Sequence, residues 1–289
     1  MVEQANEILE GMAEQGYTLT LRQLFYQFVR RNWIANSEKS YKRLGEVVAK
    51  ARLGGHISWD AIEDRNRSLM DWAFDEDPAS VIAGARSQLV YDLWARQGTY
   101  CEVWVEKDAM SGVVARPCER LMVPYMACKG YLSLSESWRA GLRFSAAVRR
   151  GQEAVLFYLG DHDPSGIDMT RNHRERQDLF AGLDEVRVER LALNIDQVRA
   201  YDPPPNPTKA QDSRSAGYIR QFGETCWELD ALEPSQIEGL IAEAVDGVRD
   251  TRKWNKVLRE QEGRRDLLEG VSRNWGVIER YVRRKEGLS

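Results

Sequence analysis

Between Thr99 and Leu193 the chain alternates short apolar runs with polar, helix-patterned stretches, and this alternation restricts its fold more than any other feature. The runs are TYCEVWV from residue 99, LMVPYMA from 121, EAVLFYLG from 153 and VRVERLAL from 186. Helices are expected from about 108, over 134–150 and over 164–178. Strand–helix alternation of this kind means a parallel sheet covered by helices, so the fold class is α/β, Rossmann-like in this region.

The chemistry concentrates where the runs end. Glu106 follows the first run, and Asp161 and Asp163 follow the third in GDHDPSGIDM. In open parallel sheets the functional crevice forms outside the carboxyl ends of the strands, so three acids distant in sequence converge there. Two residues apart in extended chain, Asp161 and Asp163 point the same way and His162 points elsewhere. An oxygen-only donor set suits Mg²⁺, or Mn²⁺ in its place, rather than zinc. Asp163 ahead of Pro164 equally suits a helix N-cap with proline at the first helical position. Asp168 is a further acid, inside the expected helix.

The first hundred residues are helical in pattern: 3–15, a second helix capped by Thr18 or Thr20 and running to about Arg31, and a third over 38–52 ended by Gly54 and Gly55. GHISWDAIED, from 55, is expected to form a small wing of strands, as in winged-helix modules. A helix over 79–96 would link this unit to the sheet. The expected boundaries are a winged-helix domain at 1–75, a linker at 76–99, a sheet domain at 100–232 and a basic helical region at 233–289. DPPPNPTKAQDSRSAG, from 202, is a long Pro-rich loop in which Lys209 and Arg214 are candidate phosphate contacts, or plain surface residues.

In the second helix, Leu21, Leu24, Phe25, Phe28 and Val29 form one apolar stripe. Tyr26 lies roughly 130° from its centre, in the row Arg22–Tyr26–Arg30. An exposed tyrosine between two guanidinium groups suits a phosphate, and the arginines would favour a phenolate whose ordinary pKa is about 10. A tyrosine packed beside arginine stems is the alternative.

Net charge is −4, yet eight Lys/Arg stand against two Asp/Glu over 20–55, and twelve against seven over 249–286. Two basic segments flanking an acidic centre suit a DNA enzyme, and equally suit solvated helix faces. Arg30, Arg31, the Lys42–Arg43 pair just ahead of Leu44, and Lys129 are the candidate DNA contacts, with Lys209 and Arg214. Four widely spaced cysteines argue against a zinc site or a disulfide framework. With no basic leader and no long apolar window, a cytoplasmic protein without a membrane partner is expected.

Together, VEKDA with Glu106, ACKGYLSLS and DHDPSGIDM resemble the Toprim domain of topoisomerase VI A subunits and of the related meiotic double-strand-break transesterase. TLRQLFYQ resembles that family's catalytic-tyrosine motif. The resemblance covers about residues 15–240, and in its reduced length the chain is most similar to the stand-alone Mini-A relatives of phages and mobile elements. A phage-encoded protein would act in the host cytoplasm. The resemblance implies a CAP-like winged helix followed by a Toprim domain, Tyr26 as nucleophile, Arg22 as its helper, and Glu106, Asp161 and Asp163 as Mg²⁺ ligands. It implies cleavage and rejoining of double-stranded DNA through a 5′-phosphotyrosyl link, by a homodimer in which each tyrosine faces its partner's metal site. The chain has no GxxxxGK[ST] phosphate loop, so any ATPase would be a separate subunit. Two other readings stand beside this one: a Toprim nuclease that uses metal-activated water, and a non-enzymatic DNA-binding accessory protein of recombination.

Overall fold

A computed structural model describes residues 1–63, 74–208 and 214–287. The chain divides into two compact units, Met1–Asn66 with Thr99–Val248, and Arg67–Gly98 with Arg249–Ser289. The expected winged-helix stretch up to Asn66 thus shares a unit with the expected sheet domain and with the start of the expected basic region, and the rest of the winged-helix stretch groups with the linker stretch and the chain from Arg249 onward.

The first unit begins with α1 (Val2–Glu14), α2 (Leu21–Arg30) and α3 (Glu38–Leu53). Thr20 opens α2 with a reciprocal cap: its hydroxyl accepts from Gln23 N–H at 3.3 Å, and the Gln23 side chain accepts from Thr20 N–H at 2.8 Å. Leu24, Phe25 and Phe28 of the expected stripe are buried with Ile8, Leu9, Leu44 and Val48 of the flanking helices. The expected wing is not formed by the residues described there. Instead, Trp59–Ala61 makes one 3₁₀ turn, and a single parallel bridge joins Leu19 to Ile62. Ser58 caps that turn, and Arg52 stacks on Trp59 and donates to Ile62 O at 2.9 Å, which holds the backbone away from a hairpin.

Within the second unit, α4 (Pro78–Gln88) is shorter than the expected linker helix. The backbone from Leu89 leaves the helix because its groups are taken elsewhere: Leu89 O accepts from Arg265, and Tyr91 N–H donates to Gln261. Those partners lie beyond the first unit's last helix and are described below.

The sheet consists of β1 (Thr99–Val105), β2 (Tyr125–Ala127), β3 (Glu153–Leu159) and β4 (Val186–Ala192), all parallel, in the order β2-β1-β3-β4. Its connections are α5 (Ser111–Leu121), α6 (Leu134–Arg149) and α7 (Pro164–Ala181). Trp104, Leu156, Tyr158 and Val188 pack on one face with Ala140 and Phe144 of α6 and Met169 of α7. The alternate residues Val103, Val105, Val155 and Phe157 are also buried and, by the two-residue period, belong to the face that α5 covers. Being buried on both faces, the strands read as unbroken apolar runs.

After β4 come α8 (Ile195–Tyr201), a short antiparallel pair β5 (Asn206–Pro207) and β6 (Thr225–Cys226) around α9 (Ser215–Phe222), and α10 (Pro234–Val248) against α5. Tyr17 donates to Glu238 of α10 at 2.6 Å, which ties the N-terminal helices to the sheet layer. The second unit is completed by α11 (Thr251–Arg273), on which α4 packs, and α12 (Trp275–Glu286). Trp94 meets Trp254 edge-on at 5.8 Å there. Among the described residues no helix is long and apolar enough to cross a membrane.

One charge lies inside the sheet layer. Glu102 of β1 is 2% exposed and receives Arg143 through two bonds of 2.7 and 2.8 Å, Tyr100 at 2.7 Å and Trp104 at 2.9 Å. With every acceptor site used, the carboxylate is tolerated. Removing the guanidinium leaves it uncompensated. Arg143→Ala is therefore expected to lower unfolding free energy by about 3 kcal/mol, the lower end for a broken buried pair because Arg143 is itself part-exposed. Chemical denaturation at neutral pH measures this.

Candidate functional site

The register of the sheet brings the acids together. Val105 pairs with Leu159, so the first residues beyond both strands lie side by side, and Glu106 N–H donates to Leu159 O at 2.8 Å. Glu106 Oε2 in turn accepts from Asp161 N–H at 2.9 Å. A Cβ added at Gly160 would stand 2.8 Å from Glu106 Oε2, and one at Gly166 2.1 Å from Asp161 O. The acid loop folds this tightly only because both positions are glycine. Arg190 of β4 holds the loop from the other side, donating to Gly160 O at 2.9 Å, Asp161 O at 2.5 Å and Gly166 O at 2.9 Å.

Glu106, Asp161 and Asp163 line one cleft of about 620 Å³ with Arg22, Lys107 and Glu228. The two aspartates do not aim at a common point as extended chain would require. Asp161 Oδ1 accepts Leu229 N–H at 2.8 Å and its Oδ2 meets Lys107 Nζ at 2.7 Å. Asp163 caps α7 by accepting Gly166 N–H at 2.6 Å. His162 turns away and bonds Tyr218 through Nδ1 at 2.7 Å. Among the described residues no three acidic, histidine or cysteine side chains already form a metal-holding group. The donor chemistry nonetheless fits a hard divalent ion: the carboxylates of Glu106, Asp161 and Asp163 line one cleft.

Lys107 occupies the middle of this charge cluster. Its Nζ lies 2.7 Å from Asp161, 3.0 Å from Glu228 and 3.0 Å from Asp230. Burial alone would lower the lysine's pKa, but the three carboxylates outweigh it and hold the ammonium well above its ordinary value. Burial pushes Asp161 up to about 7 despite Lys107. Glu106 is raised as well, again first by burial. Burial would also raise Glu228, yet Lys107, Tyr26 and Arg22 overcome it and hold Glu228 down to about 2.

Tyr26 joins the same network, though not as an exposed residue. It is 6% exposed and donates to Glu228 Oε2 at 2.5 Å. The stretch 227–233 covers the flank of α2 that the helical wheel leaves open, so every residue from Gln23 to Val29 is buried. Burial, then Asp230 and Glu228, push the phenol's pKa well above 10, against the expected phenolate. Arg22 is bound by Asp230 at 3.0 Å and Glu228 at 3.2 Å, and Arg30 by Glu233 at 2.8 Å.

The remaining basic candidates are dispersed. Arg31 stacks on Trp33, Lys42 pairs with Glu38 at 2.7 Å, and Arg43 is exposed beside it on α3 while Leu44 enters the core. Lys129 pairs with Asp108 at 3.2 Å. Arg214 lies over the Tyr131 ring and 3.6 Å from Asp168, which Tyr131 also bonds. Lys209 lies outside the described residues.

Sequence reasoning missed Lys107, Arg190, Glu228 and Asp230. For the last three the signals were present: charged residues, Arg190 among them, inside the run VRVERLAL, and two acids alternating with apolar residues in WELDAL. The sequence matches no protein-family model and no curated protein.

Glu228 has a folded-state pKa below its unfolded value, so its stabilisation is present above about 4.5 and is lost as pH falls toward about 2. Glu228→Gln is expected to cost on the order of 2–3 kcal/mol at pH 7, and progressively less as pH falls below 4. Denaturant midpoints at pH 7, 5 and 3 test this. Gly166→Ala is expected to cost about 2–3 kcal/mol by overpacking the acid loop, read as a fall in melting temperature.

Proposed function

We propose that this protein cleaves and rejoins double-stranded DNA with Mg²⁺, using Tyr26 as nucleophile, as a reduced relative of topoisomerase VI A subunits of the Mini-A kind. One observation carries the reading. Tyr26 and Asp161, named by two motifs 135 residues apart, are joined through Glu228 and Lys107 by contacts of 2.5, 3.0 and 2.7 Å. In this reading the N-terminal helices are a CAP-like module without a wing among the described residues, and the sheet is a Toprim domain.

The Tyr26 oxygen attacks phosphorus, an Oη–P bond forms and the P–O3′ bond breaks, leaving a 5′-phosphotyrosyl link and a free 3′ end. Before substrate arrives the phenolic proton is held by Glu228 Oε2; on attack it passes to water, and the departing O3′ takes up a proton from water. Arg22 and Lys107 supply positive charge beside the reacting phosphate. Glu106, Asp161 and Asp163 would hold the divalent ion, which when bound stabilises charge on the phosphoryl oxygens. Rejoining is the reverse and needs no ATP, because the link conserves the bond. Tyr26 here meets the acids of its own chain, unlike the implied arrangement in which each tyrosine faces the partner's metal site; a homodimer would still cut both strands. Any ATPase partner would be a separate chain.

A second reading is favoured by the burial and protonation of Tyr26: a nuclease in which water attacks and the tyrosine packs. Wild type incubated with supercoiled plasmid and Mg²⁺ is expected to yield a protein–DNA adduct on a denaturing gel. Tyr26→Phe should reduce both adduct and cleavage by about a thousandfold or more. Full cleavage by Tyr26→Phe, with Asp161→Asn inactive, would establish the nuclease instead.

A further inference from the structure

The donors around Glu228 describe a site whose ligand is not Glu228. Three donors converge on its single oxygen Oε2: Tyr26 Oη at 2.5 Å, Lys107 Nζ at 3.0 Å and Arg22 Nη2 at 3.2 Å. They come from one face of α2 and from the loop after β1. One oxygen receiving two cations and a hydroxyl is the coordination of a non-bridging phosphate oxygen. We propose that Glu228 is an internal stand-in for phosphate, filling an oxyanion site built by Tyr26, Arg22 and Lys107 that takes a phosphodiester oxygen once Glu228 withdraws.

Two further observations support the exchange. The cations do not depend on Glu228 for their positions. Arg22 Nε is held by Asp230 at 3.0 Å, and Lys107 by Asp161 at 2.7 Å and Asp230 at 3.0 Å, so both cations keep their places when the carboxylate leaves. Glu228 also has a way out. Its side chain is 26% exposed and lines the open cleft, whereas that of Asp230 is 1% exposed and fixed. The other Glu228 oxygen accepts only a 3.3 Å bond from Asn206, among the described residues.

The same pattern recurs along the helix. Glu233 accepts from Arg30 at 2.8 Å and Gln27 at 3.0 Å, so the chain from 228 to 233 lays carboxylates along the row Arg22–Tyr26–Arg30. That row is the track expected for a nucleic-acid backbone, and here an acidic segment of the chain itself covers it. Binding of the substrate backbone then begins with displacement of the Glu228 and Glu233 side chains while Asp230 stays in place, and its affinity is reduced by the fraction of molecules in which those carboxylates are seated.

The identity of the phosphate's carrier rests on the DNA-cleaving reading, but the oxyanion site does not. Inorganic phosphate binding is therefore measured by calorimetry in EDTA, with wild type, Glu228→Gln and Glu228→Ala, each checked for folding by circular dichroism. Glu228→Gln keeps the side chain's shape and answers the question should the alanine variant unfold. Both variants are expected to bind phosphate about tenfold more tightly than wild type, and adding Lys107→Ala to either should remove the gain. Unchanged or weaker phosphate binding in a folded Glu228 variant overturns the proposal. A gain in phosphate affinity without any tyrosine–DNA adduct upholds the oxyanion site and removes the DNA-cleaving reading.

Discussion

A lysine ammonium surrounded by three carboxylates holds the centre of the first unit together. Asp161, Glu228 and Asp230 come from two stretches of chain nearly seventy residues apart, and Lys107 from a third, so the cluster fastens the ends of β1 and β3 to the segment before α10. Buried charges are tolerated only when paired and hydrogen-bonded. Asp161 and Asp230, its most buried acids, therefore depend on Lys107. Arg22 extends the cluster to α2, and in this way the tyrosine helix is attached to the segment before α10 by ion pairs as well as by the packing of Ala231.

Much of the scaffold was legible because it follows from local rules. The strands are apolar runs of the right length between helix signals, and the Thr20 cap and Gly54 stop bound their helices as the sequence suggests. The in-register pairing of β1 and β3 then makes the meeting of Glu106 and Asp161 a geometric consequence. The wing was misread because GHISWDAIED has strand-like residues whose backbone groups are claimed by Arg52 and by a Ser58-capped turn. Pattern alone carries no record of that competition.

The site was legible only in half. A helical wheel shows which side of α2 is apolar but not what covers its polar side. The acids that bind Arg22, Tyr26 and Arg30 arrive some two hundred residues later, in a segment with no periodicity of its own. Hence Tyr26 reads as exposed in sequence and is enclosed in the structure. Lys107 was passed over for a related reason: beside a candidate ligand, a lysine looks like an ordinary solvated neighbour until its three partners are known.

Arg190 gives the acid loop a property separate from its charge. The guanidinium grips main-chain carbonyls at Gly160, Asp161 and Gly166 rather than the carboxylates themselves. Glu106 and Asp163 do the complementary task, accepting the loop's amides at Asp161 and Gly166. The carbonyls are thus held by a cation and the amides by the acids themselves, so replacing a carboxylate would disturb the shape of the loop as well as its charge.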